Sequence, residues 1–220
     1  MISTEHHSTP TPDDRPVIEY FYSIHSAFAW IGARQLEKIA QASGRRILHK
    51  PFDFIPVITA ANSGTYLNIS QERMEYFFGR EIDRWAEWRN QPCIHTRPVY
   101  HDEPQSLASG MVLAAQNMGQ NVDGLSREIL GMHWRDDGNI NGQADLARAA
   151  KAAGLAPYPL FEAALTSDIQ AEFTACTQEA ITRSIFGSPT YVLDGDMFYG
   201  QDHLEMLERA LKQPFRPSPA

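Results

Sequence analysis

The chain has 220 residues, a formal net charge of −8, 43% hydrophobic residues and 21% charged residues. An acidic surplus excludes the counterion exchange by which basic proteins hold nucleic acid, and it opposes docking on an anionic membrane. No apolar run approaches the roughly 20 residues needed to span a bilayer, and the N-terminal MISTEHHSTPTPDDRP lacks the apolar segment of a secretory signal.

Residues 1–15 are expected to form a disordered tail, with His6 and His7 solvated rather than metal-bound. Cys93 and Cys176 form no CxxC motif and are too few for a zinc cluster. No metal site is expected, and the cysteine usage fits a reducing cytoplasm.

The run Val17-Ile18-Glu19-Tyr20-Phe21-Tyr22 reads as a buried strand. From Ala27 the pattern turns helical, with Phe28, Ile31, Gln35, Leu36 and Ile39 recurring at helical spacing, Gln35 the one polar residue among them, and Gly44 as the stop. Ile47 to Phe52 reads as a second strand, and a right-handed crossover makes the pair parallel. Ser70 then caps a helix with Met74, Phe77, Phe78, Ile82 and Trp85 on one face. After a proline-punctuated loop, helices are expected near 105–118, 121–134, 143–153, 157–165 and 168–185. Pro189 to Leu193 reads as a strand, Asp194-Gly195 as a tight hairpin turn, and Met197 to Tyr199 as the returning strand. A last helix carries Leu204, Leu207 and Leu211. The layout is an α/β one: β-α-β, a long helical stretch, then β-β-α. The helical stretch is expected to pack as a lid or subdomain beside one shared sheet, and the cleft between them is the natural ligand site.

Ser26 stands where the first strand meets the first helix. A helix N-terminus offers unpaired N–H groups and partial positive charge, both of which favour an anion. A cysteine there would be a redox nucleophile; a serine can donate a hydrogen bond to a thiolate brought in by a ligand, or it can simply cap the helix. His25, next to it, is a candidate proton shuttle or a structural histidine. Ser188-Pro189 opens the third strand, either in the cis form that presents the backbone of Ser188 or as an ordinary trans proline. The Gly200-Gln201-Asp202 turn offers backbone N–H groups for a carboxylate and an Asp side chain for an ammonium. The alternative is an acidic residue placed by the helix dipole alone. Cys176 lies on an apolar stripe and reads as core.

Three segments together carry a resemblance: SIHSAFAWIG around Ser26, FFGREIDRW in the helical stretch, and FGSPTYVLDGDMFYGQDHLEML near the end. They resemble the 2-hydroxychromene-2-carboxylate isomerase family, close to the kappa-class glutathione transferases and more distantly the DsbA-like oxidoreductases. The resemblance spans residues 17 to about 212. It implies a thioredoxin-like fold with a large all-helical insertion: residues 16–55 and 186–215 form the thioredoxin-like domain, and 56–185 the insertion.

The resemblance also implies glutathione as cofactor. Ser26 then faces the glutathione sulfur, Ser188 and Pro189 pair with its cysteinyl part, and Gln201 and Asp202 hold the γ-glutamyl end. Asn62 lies in a loop that supplies a further contact. Tyr22, Phe28, Trp85 and Trp134 are the expected lining of the substrate cleft, and Ser26 and His25 the expected catalytic pair. The implied activity is glutathione-dependent isomerisation of a conjugated, aromatic-derived small molecule. A kappa-like transferase or peroxidase, or a non-catalytic thioredoxin-like binding protein, are the alternatives. No nucleic-acid or membrane partner is implied, and a homodimer stays open. The chain departs from the family pattern at Ser26-Ala27, where Ser-Pro is common. No basic residue follows the second strand, where the sequence reads Ile55-Pro56-Val57-Ile58-Thr59.

Overall fold

The computed structural model describes residues 14–61 and 70–217. Of the expected tail, only Asp14 and Arg15 fall within them.

β1 (Val17–Tyr22) has an apolar run that serves both faces of a sheet. Ile18, Tyr20 and Tyr22 enter the main core, while Phe21 enters a smaller core on the other side. A strand buried on both faces belongs at the middle, and the sheet order is β2-β1-β3-β4. β1 pairs in parallel with β2 (Arg46–Pro51), from Val17 opposite Arg46 to Tyr22 opposite Pro51. The parallel sense needs a crossover, and α1 (Ala27–Ser43) provides it. On its other edge β1 pairs antiparallel with β3 (Thr190–Leu193), Tyr20 facing Tyr191. β4 (Asp196–Tyr199) returns antiparallel to β3. The turn between them has positive φ at Asp194 (51°) and Gly195 (94°), as a two-residue type I′ hairpin requires. Arg45 forks onto the Asp194 carboxylate with two bonds of 2.8 Å.

Between β2 and β3 lie α2 (Phe54–Ala60), α3 (Gln71–Glu75), α4 (Glu81–Arg89), α5 (Ser106–Asn117), α6 (Val122–Asp136), α7 (Gln143–Ala152), α8 (Pro157–Ala164) and α9 (Ser167–Thr182). A 3₁₀ turn, Gln201–His203, leads into α10 (Leu204–Lys212). α5 is buried continuously from Leu107 to Ala115, so it runs through the interior. The main core joins sheet residues such as Ile18 and Tyr191 to helix residues such as Met111 and Ile129 in one cluster. The smaller core joins Phe21 and Val192 to Phe52, Val57, Ala180 and Ile185. Beside it Lys50 and Arg183 each bridge Glu19 and Glu179, with both cations about the Phe21 ring at 5.1 and 5.0 Å.

One expected helix differs. Ser70 does cap a helix, its Oγ accepting from the Arg73 N–H at 3.4 Å. That helix does not continue unbroken to Trp85, because Tyr76–Arg80 forms a π-helical turn between α3 and α4. The wider turn shifts the helical phase. Met74 and Phe77 therefore face solvent, while Ile82 is buried.

α1 and the 3₁₀ turn approach each other across Gly32. A Cβ on Gly32 would sit 2.8 Å from Gln201 Cβ and 3.0 Å from Tyr191 Oη. We expect Gly32→Leu to cost about 1–3 kcal/mol by overpacking. The check is a lower urea midpoint at unchanged slope; an unmoved midpoint would mean that the two elements do not need this contact.

Candidate active site at the start of the first helix

The chain leaves β1 at Tyr22 and turns through Ser23, Ile24 and His25 into α1. The Ser26 N–H donates to the Ser23 carbonyl at 3.0 Å and closes the turn. Ser26 has extended backbone, and its Oγ accepts from the Ala29 N–H at 3.2 Å, so it is the N-cap of α1. The same hydroxyl donates to the Ser188 carbonyl at 3.3 Å. Capping and contact with the second loop are thus joint properties of one oxygen. No acidic residue occupies the first turn of α1, so the positive pole of the 17-residue helix is uncompensated by its own side chains.

The peptide bond between Ser188 and Pro189 is cis. Ser188 Oγ accepts from the Ser23 N–H at 2.9 Å, and Ser23 Oγ donates to Gln105 Oε1 at 2.6 Å. These bonds hold the Ser188 corner, the strand-end turn and the start of α5 together. The Pro189 carbonyl then accepts from the Gly200 N–H at 2.9 Å, which carries the arrangement on to Gln201 and Asp202. Ser26, Ser188, Pro189 and Gln201 are therefore linked through short steps. Arg89, at the end of α4, donates through Nε to Gln201 Oε1 and through Nη2 to the Gln201 carbonyl, both at 3.0 Å. It also forks onto the Glu205 carboxylate. Gln201 is buried by this clamp, while Asp202 is exposed beside His203 Nδ1 at 3.5 Å.

On the other side of Ser26, three imidazoles meet. The His25 ring stacks on His101, with centroids 4.3 Å apart and planes at 19°. His101 Nδ1 lies 3.0 Å from His133 Nε2, and His133 Nδ1 lies 3.0 Å from the Gly138 carbonyl. Trp134 donates its indole N–H to the His25 carbonyl at 2.7 Å. Burial is the largest cause in each case that pushes these histidines down, His25 to about 4 and His101 to about 2.

Residues 17–212 match the family model of the DSBA-like thioredoxin domain. The chain belongs to that family. The 2-hydroxychromene-2-carboxylate isomerase of Pseudomonas sp. strain C18 is 25% identical over 199 residues, covering 89% of this chain and 90% of that protein. The protein of the same name from Sphingobium xenophagum is 23% identical over 198 residues, covering 88% and 97%. Among solved structures, a 2-hydroxychromene-2-carboxylate isomerase superposes with a TM-score of 0.73 at 19% identity, over 90% of this chain and 95% of that one. The cytosolic disulfide reductase DsbM of Pseudomonas aeruginosa, solved with GSH, gives 0.60 at 16% identity, over 90% and 93%.

Several expected site residues of this DsbA-like domain take other positions. Tyr22 does not line a cleft: it is fully buried, its hydroxyl 2.8 Å from Ser126 Oγ and 3.1 Å from His49 Nδ1. The alternation of β1 sends it to the main core with Ile18 and Tyr20. Trp134 is also buried and lies beneath the site, holding His25 from below. Phe28 and Trp85 are half-buried against the main core, and the Arg89 guanidinium lies 5.4 Å from the Trp85 ring centre. Asn62 lies outside the described residues. His25 is not a shuttle tuned to neutral pH, because burial leaves its ring uncharged there and its Nδ1 without a partner. Both thiols are free and are pushed up by burial to about 12, so neither is a thiolate at pH 7. Ser23, Arg89, Gln105, His101 and His133 have no local sequence signal as site residues.

Two outcomes follow. The unfolded chain takes up protons near pH 6.5 that folded His25 and His101 refuse until far lower pH, so stability is complete above that value and falls on acidification. Each such histidine contributes a slope of up to about 1.4 kcal/mol per pH unit between its two pKa values. Urea titrations from pH 7 to 5 should show this slope, and His25→Phe, which keeps the ring stack, should make it shallower by the share of one histidine. Separately, Arg89→Met strips the buried Gln201 oxygen of its donor and should cost about 1–3 kcal/mol, read as a lower urea midpoint. No loss would mean that the clamp is not a support for the turn.

Proposed function

We propose that this protein is a glutathione-dependent isomerase that acts on a conjugated, aromatic-derived carboxylate of the 2-hydroxychromene-2-carboxylate type. The observation that carries the reading is Ser26: a hydroxyl, not a thiol, at an uncompensated helix pole, opposite the Ser188 carbonyl. The names of the relatives point to the same reaction class.

The residues present fit glutathione. The N–H groups of Ala27 and Phe28 belong to the first turn, where an α-helix supplies no partner of its own. The Ser26-to-Ser188 bond is long at 3.3 Å, so its hydroxyl can turn toward a stronger acceptor. Ser188 offers its backbone to a peptide laid beside it, and Gln201 and Asp202 offer N–H groups and a carboxylate to an amino-acid head. Opening of the hemiketal ring leaves a phenol and a ketone conjugated with the former ring double bond; glutathione, when bound, supplies a thiolate that adds reversibly to that double bond, which becomes a single bond free to rotate and is restored when the thiolate leaves. Ser26 and the α1 pole stabilise negative charge on sulfur, and the hydroxyl of Ser26 never becomes covalently attached. Neutral imidazoles beside the pole keep the aromatic side of the site free of a competing cation.

The test is turnover of 2-hydroxychromene-2-carboxylate with glutathione. We expect product to form while total free thiol stays constant; consumption of thiol would instead indicate transfer. Millimolar glutathione should raise the melting temperature of the wild-type protein, since binding to the native state stabilises it. Ser26→Ala should lose about 1 kcal/mol as a cap and most of the turnover. A variant with wild-type turnover would leave Ser26 a cap and nothing more.

A further inference from the structure

Three histidines distant in sequence meet one residue from Ser26, and their bonding fixes their tautomers. A carbonyl oxygen only accepts, so His133 donates from Nδ1 to Gly138. Neutral His133 then has a lone pair on Nε2, and His101 must donate to it from Nδ1. The His101 and His133 rings have centroids 5.2 Å apart and planes at 15°. That separation is what two imidazoles joined edge to edge by an in-plane N–H···N bond should show, so the pair is a relay rather than a stack. Neutral His101 is left with a lone pair on Nε2, which makes no bond within the described residues. The ring is only half-buried, its face covered by His25 and its edge near Trp134 at 5.6 Å.

The surroundings hold His101 neutral. His25 and His133 adjoin it and would repel a positive charge. Of the charged groups of its own loop, Arg97 and Asp102 are paired with each other, and the Glu103 carboxylate lies 3.5 Å from Asn141 Nδ2. Asp137 is engaged by the Val99 N–H at 2.8 Å. Phe54 packs edge-on to His25 at 5.8 Å and adds apolar surface. A neutral imidazole with a bare Nε2 in an aromatic setting accepts a hydrogen bond and offers none to an anion.

We propose that His101 is the specificity residue that accepts a hydrogen bond from the aryl hydroxyl that the substrate bears once its hemiketal ring has opened, with His133 as the positioning residue that fixes its tautomer. The proposal rests on the isomerase reading above. It assigns the orientation of the ring-opened substrate: phenol end toward His101, carboxylate end away from it.

The experiment compares two unreactive ligands by calorimetry, an ortho-hydroxyaryl saturated carboxylate and its methyl ether, both with glutathione present. Wild-type protein should prefer the hydroxyl by about tenfold. His101→Phe preserves the ring stack but has no acceptor, and should bring the ratio near one. His101→Gln restores an acceptor and should recover part of the preference. Nitrogen NMR of the wild-type protein at pH 7 should find His101 protonated at Nδ1 and bare at Nε2. An unchanged ratio in His101→Phe, or the opposite tautomer, overturns the proposal. Failure of both ligands to bind while glutathione still raises the melting temperature overturns it too, and leaves the glutathione site standing. Failure of glutathione itself to bind sinks the underlying reading instead.

Discussion

The site depends on one contact, the Ser26 hydroxyl between the N-terminus of α1 and the Ser188 carbonyl. β1 and α1 are adjacent in sequence, but Ser188 lies 162 positions beyond Ser26. β3 brings it there by pairing antiparallel with β1, which sets the Ser188 corner at the end of the strand where Ser23 begins its turn. The Gly200 N–H on the Pro189 carbonyl then ties the hairpin's far end to the same corner. Central placement of β1 is therefore a functional condition as well as a packing one. Its two apolar faces place it between β2 and β3, and only there can its end meet both α1 and the cis-proline corner.

The electrostatics of the corner are divided in space. On the α1 side lies a helix pole with no acid to offset it. On the Arg89 side, a cation is almost fully committed to Gln201 and Glu205, so it shapes the turn rather than adding free charge. On the histidine side, burial keeps three imidazoles neutral. A protonated histidine there would pay a desolvation penalty and would repel its neighbours. The arrangement concentrates attraction for negative charge at the helix start and leaves its aromatic flank uncharged.

The elements that follow from local pattern were legible in the chain. The apolar run of β1, the apolar spacing of α1, the Asp194-Gly195 turn and the five helices between residues 105 and 185 each carry their own signal, and each is present. Ser26 was legible for the same reason, since a serine at a strand-to-helix junction is a local feature. Two kinds of feature were not legible. The π turn at Tyr76–Arg80 adds a residue without altering composition, so a regular helical spacing puts Met74 and Phe77 on one face with Ile82. His101 and His133 sit 32 residues apart on a loop and a helix, and nothing near either one announces the other. Tyr22 failed for a simpler reason: a strand end near a site still has a side chain that points by alternation, and its direction is into the core.

A serine in this place changes what a DsbA-like domain can do. The disulfide chemistry of a thioredoxin-type site needs an activated thiol at the helix start, and the two cysteines of this chain cannot stand in for it. Cys93 is partly buried against the main core and Cys176 lies within it, and burial drives both thiols well above neutral pH. Neither was found bonded to the other. What remains at the corner is the means to stabilise an anion: an N-cap hydroxyl, unpaired N–H groups and a helix pole. A helix terminus and a hydrogen bond each supply only modest stabilisation, but both act on the charged form alone, so they lower the pKa of whatever acid is placed there. An alcohol is too weak an acid for such help to ionise it at pH 7, whereas a thiol near pKa 8.5 needs a shift of only one or two units. The corner is thus suited to a sulfur that the chain itself does not provide, which is why the reading proposed for it requires a thiol-bearing ligand.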